Sequence, residues 1–185
     1  PESLDLQRIL ARMLAAGVTH VILEVSSHAL DLHRVDDCWM DVGVFTNLSQ
    51  DHLDYHKDIE TYWRCKKSLF TDILRSGPKQ KRAAAVINRN DPKGEELVRI
   101  VGLKKITVGD ARDNTVQSDI SKQDQSGIAG RIDTPAGSFD FRSSLVGRYN
   151  CENILCAAGV AVALDISPAA IKAGIENAAV IPGRL

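Results

Sequence analysis

A chain of 185 residues, 44% hydrophobic and 25% charged with a formal net charge of −1, suits one soluble globular domain with a real core. No apolar run approaches the roughly 20 residues that cross a bilayer, no signal-peptide pattern opens the chain, and no basic block points to nucleic acid. Near-neutral charge leaves small anionic substrates open, because local groups grip those. Cys38, Cys65, Cys151 and Cys156 are scattered without C-x-x-C spacing, so reduced cytosolic thiols are expected in place of a zinc site or disulfide framework.

The chain starts at Pro1 without a methionine and runs almost at once into a helical pattern, as an excised piece would. Leu4, Ile9, Leu10, Met13 and Leu14 recur at roughly helical spacing, and Gly17 follows as a stop. Val18 to Val25 reads as a strand, with Val21-Ile22-Leu23 continuous enough for burial on both faces. A second strand is expected at Val42–Thr46, a helix from about Asp58 to Leu74, a short buried strand at Ala83–Ile87, a proline-opened helix at Pro92–Gly102 and a further strand at Lys105–Val108. Strands alternating with helices predict an α/β fold with a mostly parallel sheet flanked by helices. After about residue 115 the pattern changes. Segments 115–121, 127–134 and 138–145 are short and β-like, and the last two flank the turn Thr134-Pro135-Ala136-Gly137. A small antiparallel subsheet, about 115–145, is expected beside the parallel one. Two helices close the chain, the first capped by Asn150 and the second opened by Ser167-Pro168.

Three constellations carry chemistry. Glu24-Val25-Ser26-Ser27-His28 ends the first expected strand. Ligands of open parallel sheets bind beyond carboxyl strand ends, and a carboxylate there suits magnesium, a hard cation that takes oxygen ligands. The alternative is that Ser26 and Ser27 merely cap the next turn. Thr46 to His56 follows the second strand and places two histidines, His52 and His56, and two aspartates, Asp51 and Asp54, in one loop. His52 and His56 have the i, i+4 spacing of zinc proteases, but no glutamate lies between them, so a magnesium or phosphate site fits better than zinc; a solvated loop is the alternative. Finally, Ile59, Tyr62, Leu69, Phe70 and Ile73 form an apolar helical stripe on which Lys66 falls, with Lys67 toward its edge. A lysine on a buried face is costly unless paired, neutralised or chemically altered; snorkelling is the bland account. There is no G-x-x-x-x-G-K-[ST] and no G-x-G-x-x-G in the chain.

These motifs, together with Gly147-Arg148-Tyr149-Asn150-Cys151-Glu152-Asn153-Ile154-Leu155 and Pro182-Gly183-Arg184, resemble the Mur ligases, and most of all the type that adds the third residue of the peptidoglycan stem peptide. The resemblance covers essentially the whole chain and implies residues 1–185 of a central, ATP-binding domain of P-loop type, truncated on its N-terminal side, so that its phosphate loop lies upstream. It implies an ATP-dependent amide ligase. ATP phosphorylates the glutamate carboxylate of UDP-N-acetylmuramoyl-L-alanyl-D-glutamate, and the amine of a diamino acid, diaminopimelate or lysine, attacks the acyl phosphate, with Mg2+ neutralising charge. Glu24 and His52 are implied as magnesium ligands, and Lys66 as a carbamylated, anionic ligand. Ser26 and Arg34 are implied in contact with the nucleotide-sugar peptide, Asn150 and Asn153 on the adenine side, and Arg184 with ATP. Leu32 stands where some relatives have a glutamine, a departure at the substrate contact. The resemblance further implies N- and C-terminal domains in the same protein, a cytoplasmic, monomeric enzyme without nucleic-acid or membrane partners, and an isolated chain that neither turns over nor binds ATP tightly. Competing expectations are a sibling ligase, such as another Mur enzyme or a folylpolyglutamate synthase, and a non-catalytic α/β interaction domain.

Overall fold

The computed structural model describes residues 1–48 and 57–178, and the chain divides into two compact units: 1–41 with 49–83, and 42–48 with 84–185.

The first unit is helical among its described residues. Helix α1 (Ser3–Ala15) matches the expected spacing, yet only Leu6 on it is buried, and Leu4 and Leu14 are exposed. Residues 18–25 form no strand. Ile22 is fully exposed, and Val18, Val21 and Leu23 are exposed beside it. The composition suits a pleated surface, but a strand exists only through hydrogen bonds to a neighbour, and no described strand pairs with this run. Helix α2 (Ser27–Asp31) follows, started by Ser26, whose Oγ accepts the Ala29 N–H at 3.1 Å. Helix α3 (Ile59–Thr71) is started by Asp58, whose carboxylate accepts the Thr61 N–H at 2.7 Å and the Thr61 hydroxyl at 3.1 Å. Those bonds hold the Asp58 carboxyl below its ordinary value. A 3₁₀ turn (Ile73–Arg75) ends the segment where a continuing helix to Leu74 was expected.

The second unit is built on one six-stranded sheet in the order β1 (Val42–Phe45), β2 (Ala84–Asn88), β3 (Lys104–Gly109), β4 (Val116–Asp124), β5 (Gly127–Thr134) and β6 (Gly137–Ser143). The first four are parallel and the last three antiparallel, so the expected small sheet is continuous with the parallel one and does not lie beside it. The join is two residue pairs long, Val108↔Val116 and Gly109↔Gln117. Helix α4 (Pro92–Ile100) is capped by Asp91, and α6 (Pro168–Glu176) by Ser167, whose Oγ accepts the Ala170 N–H. Helix α5 (Arg148–Ala163) begins after Gly147, at φ +88°, and not at Asn150; glycine's freedom at positive φ lets the chain enter the helix three residues earlier. Helices α5 and α6 cover one sheet face. Ile154, Leu155, Cys156, Ala158, Ile171 and Ile175 pack in one core with Val86, Ile106, Val108, Ile128, Ile132 and Phe141. Gly159 permits the approach: a Cβ there would stand 2.7 Å from methyls of Val86 and Val108. No helix among the described residues is long and apolar enough to cross a membrane.

Candidate functional site

In the first unit the residue of interest is Lys66. The buried face of α3 is Tyr62, Trp63, Leu69 and Phe70, with Ile59 and Ile73 only half-buried, so it is turned toward Trp63 relative to the expected stripe. Lys66 is half-buried on it, with Nζ 5.1 Å from the Tyr62 ring centroid; Lys67 is its counterpart over Trp63 at 6.0 Å. Aromatic faces compensate part of an ammonium's desolvation, by about 0.5–2 kcal/mol. Next to Lys66, Cys65 Sγ donates to the Ser27 carbonyl at 3.0 Å, tying α3 to the first turn of α2. Burial and Asp31 raise the Cys65 thiol above its ordinary value.

Glu24 stands exposed on non-strand backbone, so the carboxyl-end-of-strand argument does not apply to it in this structure. Ser26 spends its hydroxyl as the α2 cap, the plainer of the two readings of that residue. Its neighbour Ser27 is 1% exposed, and its Oγ is buried without a hydrogen-bond partner among the described residues. Arg34 is half-buried and grips Glu2 bidentately, Nη2 to Oε1 at 2.6 Å and Nε to Oε2 at 3.2 Å. Leu32, at the end of α2, is exposed. His52 and Arg184 lie outside the described residues.

The second unit gathers polar groups at the carboxyl end of its parallel strands. Asn88, the last residue of β2, is fully buried. Its Nδ2 donates to the Thr46 carbonyl at 2.7 Å and to Glu152 Oε2 at 3.2 Å, and its Oδ1 accepts the Asn90 N–H at 3.0 Å. Asp91 accepts the Leu48 N–H at 2.8 Å and the Lys93 N–H at 2.7 Å. Thr46 and Leu48 are thereby fixed where the chain enters the run that carries His52. A cavity of about 380 Å³ opens beside this cluster, lined by Asn90, Asp110, Ser118, Arg148, Cys151 and Glu152 among others. Burial, Asp110 and Glu152 raise the Cys151 thiol, and burial pushes Cys156 up to about 12. On α5, Asn150 Nδ2 donates to the Val146 carbonyl at 2.8 Å, and Asn153 Nδ2 donates to Asn150 Oδ1 at 3.3 Å, so these two expected residues are joined.

Sequence reasoning passed over Asn88, Asn90, Asp91 and Glu152. The signal was available: Asn88-Arg89-Asn90-Asp91-Pro92 is a polar run directly after a buried strand, the placement that drew attention to the other two segments. No group of three or more His, Cys, Asp or Glu among the described residues is arranged to hold a metal. A magnesium site would need oxygen donors beyond these described side chains.

Comparison with known proteins gives a consistent picture. Residues 1–161 match the model of the Mur ligase middle domain. The chain is 45% identical over its whole length to the UDP-N-acetylmuramoyl-L-alanyl-D-glutamate--2,6-diaminopimelate ligase of Geobacter metallireducens, and 39% identical to that of a Nostoc species; it spans 36% of each relative. A solved structure of a UDP-N-acetylmuramoyl-L-alanyl-D-glutamate--2,6-diaminopimelate ligase superposes on all of the chain, and on 37% of its own length, with TM-score 0.86 and 27% identity. MurF from Acinetobacter baumannii shares the fold over 78% of this chain and 30% of its own, at TM-score 0.65 and 23% identity.

Proposed function

The chain belongs to the Mur ligase family through its middle domain, and on that premise we propose that it serves an ATP-dependent ligase that joins meso-diaminopimelate to UDP-N-acetylmuramoyl-L-alanyl-D-glutamate. The observation that carries the proposal is Lys66, half-buried on α3 above Tyr62 in a chain 45% identical throughout to a ligase of that name. Carbamylation would turn this lysine into an anionic oxygen ligand. Magnesium, held by Glu24, His52 and the Lys66 carbamate, would supply charge neutralisation during phosphoryl transfer. Asn150 and Asn153, already joined, would take the adenine side and Arg184 the nucleotide, while Ser26 and Arg34 would face the nucleotide-sugar peptide. Arg34 would leave Glu2 to do so. The chain has no G-x-x-x-x-G-K-[ST], so the grip on the phosphates, like the choice of diamino acid, falls to other parts of the protein, and the 185 residues alone would be inactive. The reading implies a cytoplasmic, monomeric enzyme.

The test is Lys66→Ala in the full-length ligase, with product analysis using meso-diaminopimelate and L-lysine. The expected result is loss of diaminopimelate joining by about 100-fold or more, partly restored by formate or acetate as a surrogate carboxylate. Retained activity, or lost activity with no rescue by any small carboxylate, sinks the carbamate assignment. A wild type that prefers lysine sinks the substrate.

A further inference from the structure

A buried amide with every polar atom used is a fixed point from which other groups are held. Asn88 is 0% exposed, and its three hydrogen bonds reach three separate places: the exit of β1 at Thr46, the turn after β2 at Asn90, and α5 at Glu152. Glu152 lies one residue before Asn153 and two after Asn150, on the helix whose first two turns those asparagines occupy. Glu152 also lies 3.7 Å from Arg148, so one carboxylate ties the helix start to the sheet. The Asn88–Glu152 bond is charge-assisted and largely out of water, the class that contributes most per bond.

We propose that Asn88 is a positioning residue for the ligase reaction, which sets the Asn150–Asn153 pair for the nucleotide through Glu152. This rests on the ligase reading above. The residue itself touches no reacting atom. Its effect is on geometry, and small misplacements of binding groups are costly to rate.

Asn88→Asp keeps the shape but offers no donor, and it sets a second carboxylate beside Glu152. In the full-length ligase it is expected to raise the KM for ATP about tenfold with diaminopimelate joining still detectable. Adding Glu152→Gln reverses the polarity of the bond, since the Gln amide donates to the new Asp. The double variant is expected to return the KM for ATP to within about threefold of wild type. Should Asn88→Asp fail to fold, Glu152→Leu removes only the α5 connection and is expected to raise the same KM. Values for ATP that stay within about twofold of wild type while thermal stability falls would assign Asn88 a purely structural role and overturn the proposal. A double variant no better than Asn88→Asp would overturn it as well. In both cases the wild type still joins diaminopimelate, and the functional reading stands; a wild type that joins nothing removes both.

Discussion

Gly94 gives a test in which the sign of the effect decides. It lies in the first half of α4 and is buried. A Cβ added there would sit inside the envelope of the Asn88 carbonyl oxygen, 2.9 Å from its carbon and 3.4 Å from Arg89 Cα. All three atoms are backbone, so no side-chain rotation relieves the clash, and α4 has to move off the end of β2. Overpacking of this kind costs about 1–3 kcal/mol. The movement also strains the Asp91 cap, whose bonds to Lys93 N and Leu48 N are 2.7 and 2.8 Å, worth about 1 kcal/mol. Against this, alanine is the better helix former by roughly 1 kcal/mol. The net expectation for Gly94→Ala is destabilisation by about 1–3 kcal/mol, a fall in Tm of roughly 2–12 °C for a chain of this size. Gly174 on α6 is the counterpart: it is exposed, and nothing lies within 4 Å of its added Cβ. There the same substitution is expected to raise stability by about 0.5–1 kcal/mol. Thermal and urea unfolding followed by circular dichroism read both. A Gly94→Ala chain as stable as wild type would refute the packing argument, because propensity alone predicts a gain.

Arg89 is mostly buried and bonds Glu95 at 2.6 Å and Asp113 at 2.9 Å. Arg89→Met is expected to cost about 1–2 kcal/mol at neutral pH by urea unfolding. Arg89 holds the Asp113 carboxyl below its ordinary value, so that share of the stability is full above the ordinary carboxylate range and vanishes as pH falls through the lowered one. The gap between wild type and variant therefore narrows in acid, and a constant gap would contradict the pairing. Cys156 gives the opposite limb. Its thiol is raised from 9.0 to about 12 by burial, so its contribution is complete below the unfolded value and is lost as pH climbs from about 9 to about 12. Stability should fall over that window less steeply in Cys156→Ala, once scaled for the cavity that variant leaves, and parallel curves would refute the assignment.

Much of this was legible in the sequence. Helix starts at Asp58, Asp91-Pro92 and Ser167-Pro168 are local chemistry, and a cap writes itself into three or four consecutive residues. The strands of the second unit were legible for the same reason, as short apolar runs between turn residues. What failed was pairing. Nothing within Val18–Val25 says whether a neighbour exists to receive its hydrogen bonds, and nothing in segment 115–121 says that its first residues join β3. The same holds for the site. Lys66 declared itself by falling on an apolar stripe, but Asn88, Glu152 and Thr46 are 42 to 64 residues apart in their bonds, and no local pattern joins them. Gly147 misled as well, since a positive φ before a helix start is invisible to capping rules that look for side-chain oxygens.

The buried end of β2 has one more consequence. Along Ala84–Asn88 every residue is buried, so the strand has no polar face and alternation cannot tell one alignment from another. Sliding β2 by one residue against Val42–Phe45 or Lys104–Val108 would put alanines where branched residues pack and the reverse, at a cost of about 1–5 kcal/mol per exchanged site. It would also carry the Asn88 amide away from Thr46 and Glu152 and leave it unmatched in the interior, at about 1–3 kcal/mol for each polar group stranded. A single amide thus adds to the packing a polar penalty against every other alignment, which an all-apolar strand would lack.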